Sequence, residues 1–267
     1  RRVGGEPIKA FARHRHIAPL FSLDKAVTED ELSAFVTRVQ KIDPAAVFTV
    51  EYKFDGLTMC LTYEEGRFVR ATTRGNGTEG EDVTAQALTV RSFPLAIPYR
   101  GTLEVRGEAV IRLPVLEEYN RTHPDEPLKN ARNAAAGAIR NLDPKVTASR
   151  RPEIIFYDIN YMSDAPVSSQ QEAVSRLREW GFQTFPYFRV CGSFDEVRAA
   201  VDEIEVGRKS LDVLTDGAVI KTDSEATRRL MGYTDKFPRW AIAYKFEAEE
   251  AEATVERVIW QVGRTGK

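Results

Sequence analysis

The stretch EYKFDG, residues 51–56, is the segment around which the sequence is organised. Apolar and polar residues alternate from Phe48 to Lys53, and this period of two predicts a half-buried β-strand. Successive side chains of a strand point to opposite faces. Glu51 and Lys53 are therefore expected on one face, which Asp55 joins if the strand continues. A lysine between two acids predicts a site in which the amine is the nucleophile.

The composition excludes several classes of protein. The chain has 267 residues, a formal net charge of −2 and a sequence pI of about 6.1, so any nucleic-acid surface has to be a local patch. The two cysteines, Cys60 and Cys191, and the three histidines show no metal-ligand spacing, and metal ligands stay unassigned. No apolar run has the length of a membrane span and no signal peptide is visible. We expect a cytoplasmic protein without a membrane partner.

Local signals predict the fold class. Helix starts are predicted by three capping-box patterns, Thr28 with Glu31, Ser169 with Glu172 and Ser193 with Glu196. Strands are expected over 47–73 around a turn at Glu65-Gly66, and over 153–161 and 215–222. Residues 1–27 are expected to form a loop, and 73–82 a glycine-rich loop. Helices and strands mix irregularly, which predicts an α+β fold with mainly antiparallel sheets flanked by helices.

Charged residues mark three further strands as candidate parts of a site. From Leu103 to Ala109, every second residue is charged: Glu104, Arg106 and Glu108. These three side chains are either solvated or line a polar pocket. In a pocket, Glu108 would accept a hydrogen bond from a ribose hydroxyl. Two apolar strands end in Lys221 and Lys245. Either lysine alone would usually face solvent, but the pair indicates a polyphosphate site.

An alanine-rich stretch, 129–140, predicts a helix that carries Arg132 and Arg140 near one face, about two turns apart. With Lys129, Lys145 and Arg150-Arg151 these arginines form the densest basic cluster of the chain. The cluster is either an ordinary solvated helix surface or a surface that contacts a phosphate backbone.

Six motifs follow one another along the chain: KFDG (53–56), TRG (73–75), EVRGE (104–108), RNAAAG (132–137), DGAVIK (216–221) and WAIAYKF (240–246). This ordered series resembles the adenylation domain of bacterial NAD-dependent DNA ligases, which has a nucleotidyltransferase fold. The resemblance implies an adenylation domain over 1–258. It also implies that 259–267, with QVGRTG at 261–266, begins the linker to an OB-fold domain. The family's N-terminal subdomain, which grips nicotinamide mononucleotide, has no counterpart here, so NAD-driven self-adenylylation is expected to need more than this chain.

The resemblance implies a covalent mechanism. Lys53 would attack the α-phosphate of NAD, release nicotinamide mononucleotide and carry AMP. The AMP would pass to the 5′-phosphate of a DNA nick, where the 3′-hydroxyl would displace it during replication or repair. Asp55 would orient the amine or hold Mg²⁺ through water. Nearby cations, among them Arg74, would favour the neutral amine and stabilise the phosphoryl group in transfer.

The resemblance also assigns the nucleotide site residue by residue. Glu51 would contact the adenine and Tyr157 would stack on it. Glu108 would hold the ribose with the help of Arg74. The loop Ser22-Leu23 would border the nucleotide pocket.

The remaining assignments concern phosphates and DNA. Lys221 and Lys245 would face the phosphates of the nucleotide. Arg132, Arg140 and Arg208 would contact DNA phosphates. The partner implied is nicked double-stranded DNA, and we expect a monomer.

Two alternative readings remain. The first is an ATP-dependent ligase or a capping enzyme of the same nucleotidyltransferase group, and the RNAAAG motif and the VGRTG ending argue against it. The second is a catalytically silent DNA-binding or scaffold module. The joint presence of Lys53, Glu108, Lys221 and Lys245 argues against the silent module, and the overall acidity argues against a dedicated DNA binder.

Overall fold

The structure, a computed structural model, describes residues 10–246. Eleven strands and eight helices occur in this part of the chain. In order they are β1 (Arg13–Arg15), β2 (Asp24–Ala26), α1 (Glu29–Ile42), β3 (Phe48–Phe54), β4 (Leu57–Glu64), β5 (Arg67–Thr73), β6 (Glu79–Glu81), α2 (Thr84–Ala87), β7 (Leu103–Val110), α3 (Leu113–Thr122), α4 (Ala131–Ile139), α5 (Pro144–Arg150), β8 (Glu153–Met162), α6 (Gln170–Glu179), β9 (Arg189–Cys191), α7 (Phe194–Gly207), β10 (Thr215–Thr222), α8 (Glu225–Met231) and β11 (Ala241–Tyr244).

The first sheet has five strands in the order β2-β11-β10-β3-β9. All its neighbours pair antiparallel except β2 and β11, which are parallel. Its apolar face packs on α1 and α7, which contribute Leu32, Phe35, Val201 and Ile204 to one continuous core. In the register of β3 and β10, Lys53 lies opposite Gly217 and Glu51 lies opposite Val219.

The prediction of a half-buried strand at β3 was wrong, because every residue of the strand except Lys53 is buried. The reason is its interior place in the sheet. The apolar side of β3 lies in the helix-covered core, and the other side faces a second sheet. The strand also ends at Phe54, so Asp55 is not a strand residue, and its backbone N–H donates to the carbonyl of Leu214.

The second sheet has four antiparallel strands in the order β5-β4-β7-β8. The predicted turn between β4 and β5 is confirmed, with positive φ at Glu65 and Gly66. A second core, which includes Met59, Leu61 and Phe156, lies on one side of this sheet. The fold is α+β with mainly antiparallel sheets, as predicted.

The loops expected over 1–27 and 73–82 were partly wrong, because each range contains short strands. β1 pairs antiparallel with β6, so Arg13 lies opposite Glu81, and β2 pairs with β11. These strands have three residues each, too few for a visible periodicity, and their partners are distant in sequence. The turn that joins β5 to β6 has positive φ at Gly75 and Gly77, which explains its glycine content.

The predicted capping at Thr28 is confirmed as a complete capping box with Glu31. Ser169 and Ser193 also cap their helices, but each box is displaced by one residue: Glu172 accepts from Ser168 and Glu196 accepts from Gly192. Among residues 10–246, no helix is both long and apolar enough to cross a membrane. The predicted linker 259–267 lies outside the described residues.

Candidate active site

A cleft of about 780 Å³ lies between the two sheets. Its floor is formed by the polar side of β3, β10 and the end of β11, and its opposite wall by β4, β7 and β8. The segment 19–23 and the helix α4 form its rim. The segment Glu51 to Asp55, with its acid–lysine–acid pattern, therefore lies at the floor of this cleft.

One end of the floor holds Lys53 between charged neighbours. Its Nζ lies 3.0 Å and 3.3 Å from the two carboxylate oxygens of Asp216, and Lys245 donates to the same carboxylate. Burial acts to raise the pKa of Asp216, but the hydrogen bond from Lys245 and the charge of Lys53 bring this pKa below its usual value. The pairing of β10 with β3 is irregular between Thr215 and Gly217, and Asp216 lies at this irregularity. We call Lys53, Asp216 and Lys245 the lysine end.

The other end of the floor is a buried set of charges. Lys221 Nζ lies 3.2 Å from Glu51 Oε2 and 3.4 Å from Asp158 Oδ2, and Arg106 Nη2 donates to Asp158 Oδ2 at 2.8 Å. Burial opposes ionisation of Asp158, but the charges of Lys221 and Arg106 hold its pKa well below the usual range. Burial raises the pKa of Glu51, which Lys221 only partly offsets. We call Glu51, Lys221, Asp158 and Arg106 the buried end.

Tyr157 and Glu108 lie on the wall that faces this floor. Lys221 Nζ lies 5.3 Å and the Arg106 guanidinium carbon 6.0 Å from the centroid of the Tyr157 ring. Thr58 donates to Glu108 at 3.2 Å. Burial raises the pKa of Glu108 to about 7, against the effects of Thr58 and Lys53. The Glu108 carboxyl group is thus poised to change charge near neutral pH.

The rim holds the predicted loop, which Arg74 contacts, and two further arginines. Arg74 donates to the hydroxyl of Ser22. Arg132 Nη1 lies 3.2 Å from Asp55 Oδ1. Arg140 makes a two-pronged contact with Glu81, with Nε and Nη2 at 2.6 Å and 3.0 Å from its oxygens. Both arginine side chains remain more than half exposed.

Of the residues to which the resemblance assigns a role in the site, all except Arg208 line this cleft. Those brought together are Ser22, Leu23, Glu51, Lys53, Asp55, Arg74, Glu108, Arg132, Arg140, Tyr157, Lys221 and Lys245. Arg208 is not among the described residues of the lining; it follows α7 and lies over the ring of Phe246 at 4.8 Å. The two lysines expected to act together are divided, since Lys245 belongs to the lysine end and Lys221 to the buried end.

Sequence reasoning missed two carboxylates that organise the site. Asp216 opens the DGAVIK motif, yet it was assigned no role, and it is the group that contacts Lys53 and Lys245 together. Asp158 follows Tyr157 on β8 and joins Lys221 to Arg106. The sequence could have indicated that some acid lies next to these cations, because a buried lysine or arginine needs an anionic partner. Which acid provides it depends on how the sheets pack.

Comparisons with known proteins agree along the whole chain. A family model described as the NAD-dependent DNA ligase adenylation domain matches residues 8–249. A DNA ligase of Alkaliphilus metalliredigens is 48% identical over 269 residues, which cover 100% of this chain and 41% of that protein. A DNA ligase of Finegoldia magna is 48% identical over 278 residues, which cover 100% of this chain and 42% of that protein. The chain thus spans about two fifths of the length of these relatives.

Solved structures were matched at lower identity. A putative ATP-dependent DNA ligase from Aquifex aeolicus superposes with a TM-score of 0.47 at 14% identity, over 85% of this chain and 50% of that chain. An archaeal ATP-dependent RNA ligase superposes with a TM-score of 0.47 at 14% identity, over 86% of this chain and 48% of that chain.

Proposed function

The chain belongs to the NAD-dependent DNA ligase adenylation-domain family, and on that premise we propose that it carries the covalent step of nick sealing. Lys53 takes AMP from NAD and passes it to the 5′-phosphate of a nicked DNA duplex. The observation that supports this proposal most directly is the position of Lys53, on the floor of the cleft and paired with Asp216, which also contacts Lys245.

The lysine end suits transfer of a phosphoryl group. The Lys53 nitrogen forms a bond to the α-phosphorus as the bond to the nicotinamide mononucleotide oxygen breaks, and that mononucleotide leaves. Lys53 has to lose a proton for this attack, and Asp216 is the acceptor within hydrogen-bonding distance. Lys245, next to the same carboxylate, stabilises negative charge on the transferring group.

The residues of the cleft fit Mg²⁺ that is held chiefly by phosphates. Among the described residues, a cluster of three ligand-type side chains occurs only at His16, Cys60 and Glu104, where Cys60 donates to Glu104. Mg²⁺ commonly binds through one or two carboxylates together with phosphate oxygens and water. Asp55 is the carboxylate that we assign to it, and Glu108, which we assign to the ribose, lies close enough to be affected by its charge. When bound, Mg²⁺ would neutralise charge on the phosphates.

The base and the DNA are assigned to different parts of the cleft. Glu51 and Tyr157 at the buried end receive the adenine. Arg132 and Arg140 at the rim, both more than half exposed, receive DNA phosphates. Arg208, outside the cleft lining, is retained as a third phosphate contact of the bound duplex. We propose a cytoplasmic monomer.

Intact mass spectrometry tests the covalent step. The purified chain is incubated with Mg²⁺ and NAD, and in parallel with Mg²⁺ and ATP. One AMP gained from NAD, as an acid-labile adduct absent from Lys53→Ala, would support Lys53 as the nucleophile; AMP binding without an adduct would mean that the NAD-driven step needs more than this chain. Lys53 makes its hydrogen bonds only to Asp216 among the described residues, so this variant should keep its fold by circular dichroism.

Lys41→Ala is the matched control, because Lys41 is an exposed lysine on α1, on the far side of the first sheet. It should form the adduct at the wild-type rate. An adduct that persists in Lys53→Ala contradicts the assignment, and an adduct formed from ATP alone favours the ATP-dependent relatives. Absence of both an adduct and AMP binding would support a silent module.

A further inference from the structure

Two residues that the proposed mechanism does not use lie behind Glu51. Gln170, at the start of α6, is completely buried, and Arg228, on α8, is only 5% exposed. The Gln170 amide donates to the Tyr157 carbonyl at 2.8 Å and reaches Glu51 Oε2 at 3.5 Å. Arg228 Nη2 donates to Gln170 Oε1 at 3.0 Å. A chain of contacts therefore leads from Arg228 through Gln170 to Glu51.

Arg228 is itself held on several sides. Its Nε donates to the carbonyl of Thr222 at 2.7 Å, and its Nη1 donates to Glu225 at 2.8 Å. Its guanidinium carbon lies 4.2 Å from the centroid of the Trp240 ring, and Trp240 lines the cleft. Such fixation by hydrogen bonds and stacking is typical of a side chain that orients its neighbours.

The two contacts of Glu51 fall on the same oxygen. Lys221 and Gln170 both reach Oε2, and among residues 10–246 no hydrogen bond to Oε1 is found. Glu51 lines the cleft. One carboxylate oxygen is thus fixed by the protein, and the other is left for a ligand.

The charges around Glu51 balance only if Arg228 is counted. Lys221 on β10, Asp158 on β8 and Arg228 on α8 all act on Glu51. Arg106 on β7 pairs with Asp158, and Glu225 on α8 pairs with Arg228. These five groups together with Glu51 contain three positive and three negative charges. Without Arg228 the buried set has an excess negative charge, which would favour protonation of Glu51.

We propose that Arg228, acting through Gln170 and through its charge, is a positioning residue that keeps Glu51 ionised and oriented, and thereby makes the cleft select a 6-amino purine over a 6-oxo purine. The inference rests on the proposed function, in which Glu51 meets the base. An ionised carboxylate only accepts hydrogen bonds, which suits the exocyclic amine of adenine. A protonated carboxyl group can donate to the carbonyl of hypoxanthine.

The wild-type protein provides the first test, without any substitution. AMP and IMP affinities are measured by isothermal titration calorimetry from about pH 8 to about pH 5. Burial raises the pKa of Glu51 first of all, Lys221 and Arg228 oppose this, and Asp158 adds to it. Glu51 therefore gains a proton as the pH falls toward this raised pKa, and the ratio of AMP affinity to IMP affinity should fall. Both ligands carry the same phosphate and ribose, so the titrations of phosphate and of Glu108 cancel in the ratio.

Variants separate the charge of Arg228 from its shape. Arg228→Gln removes the charge, and we expect the AMP:IMP ratio at neutral pH to fall about tenfold, the change that one pKa unit produces. Arg228→Lys keeps the charge and should keep most of the ratio. Arg229→Gln removes the same charge from the next, exposed residue of α8 and should leave the ratio unchanged. Glu51→Gln should make the ratio independent of pH.

The outcomes distinguish this inference from the proposed function. A ratio that is flat with pH in the wild type, or equal in Arg228→Gln and Arg229→Gln, overturns the role of Arg228 while the AMP–lysine adduct still forms. If neither nucleotide binds, the proposed function itself fails. Should Arg228→Gln not fold, a wild-type ratio that is flat with pH still overturns the inference, and the ratio in Arg228→Lys still tests whether the charge is sufficient.

Discussion

The two ends of the cleft floor use the same arrangement of charge in different surroundings. At the lysine end, Asp216 lies between Lys53 and Lys245, and the three side chains are 26% to 34% exposed. At the buried end, Asp158 lies between Lys221 and Arg106; Lys221 and Asp158 are no more than 6% exposed, and Arg106 is 18% exposed. Each end thus contains a carboxylate between two cations, and the buried end has Glu51 in addition. Solvent access is the main difference.

That difference indicates different roles for the two ends. Ion pairs near the surface contribute little free energy, so the lysine end can exchange its carboxylate for an incoming phosphate at small cost. A buried ion pair that loses one partner leaves an uncompensated charge, which costs several kcal/mol. On the proposed function, the buried end would form a fixed frame for the base, and the lysine end would change partners during the reaction.

The largest effect is expected from breaking the buried end. Asp158→Asn leaves Lys221 and Arg106 without their shared carboxylate, and we expect a loss of about 3 kcal/mol in the free energy of unfolding. Urea denaturation followed by circular dichroism measures this. Because the pKa of folded Asp158 lies well below 3.8, its usual value, the stabilisation is present above that pH and is lost as the pH falls below it. The difference in the free energy of unfolding between Asp158→Asn and the wild type should therefore shrink as the pH falls below 3.8.

Lys245→Ala is the counterpart at the lysine end. Removing the Lys245 side chain should change the free energy of unfolding by less than about 1 kcal/mol, since its ion pair with Asp216 is about one-third exposed. Equal losses for the two variants would remove the distinction between a fixed and an exchangeable end.

The second prediction concerns the chemistry of the lysine end. Asp216→Asn keeps the shape of the side chain but removes its charge and its ability to accept the Lys53 proton. We expect adduct formation to slow about 100-fold, a usual contribution of a proton acceptor. AMP should bind at least as tightly, because the two lysines lose a competing anion. Adduct mass against time and calorimetry with AMP measure the two effects, and a parallel loss of AMP affinity would mean that Asp216 is only structural.

The sequence predicted where helices and strands lie far better than which segments pair with one another. Helix α1 begins after the predicted cap at Thr28, and β10 has the predicted bounds, because a capping box and an apolar period are local signals. The strands β1, β2, β6 and β9 have three residues each and exist only through pairing with distant segments. No local pattern encodes such pairing.

The same limit applies to the site. The motif order placed Lys53, Lys221 and Lys245 in one cleft, but it did not predict which acid each of them meets. Lys221 meets Asp158 because β8 of the second sheet faces β10 of the first. That contact depends on packing between sheets, so the division into a lysine end and a buried end became visible only in three dimensions.

A third, smaller effect is expected at Glu108, on the wall between the two ends. Its pKa of about 7 lies above the usual 4.5, so between these values the folded protein binds more protons than the unfolded chain, and the contribution of Glu108 to stability falls as the pH rises. AMP affinity should change the opposite way, rising about tenfold through pH 7 as the carboxylate forms and accepts from the ribose. Glu108→Gln should flatten both profiles, measured by thermal melting and calorimetry. A retained rise would assign the titration to another group.

The smallest effects on binding are expected at the exposed rim of the cleft. Like the ion pairs of the lysine end, those of the rim arginines are open to solvent and should exchange partners easily. Arg132→Ala and Arg140→Ala should each weaken binding to a nicked duplex only a few-fold, and should each lower the slope of log affinity against log salt by about 1. The effect is small because each arginine gives up a carboxylate, Asp55 or Glu81, when it takes a DNA phosphate. Fluorescence anisotropy at several salt concentrations measures the slope. Arg189→Ala is the control, since this exposed arginine on β9 pairs with Glu203 and is not among the described residues of the cleft lining. An unchanged slope in the two rim variants would remove Arg132 and Arg140 from the DNA-binding surface.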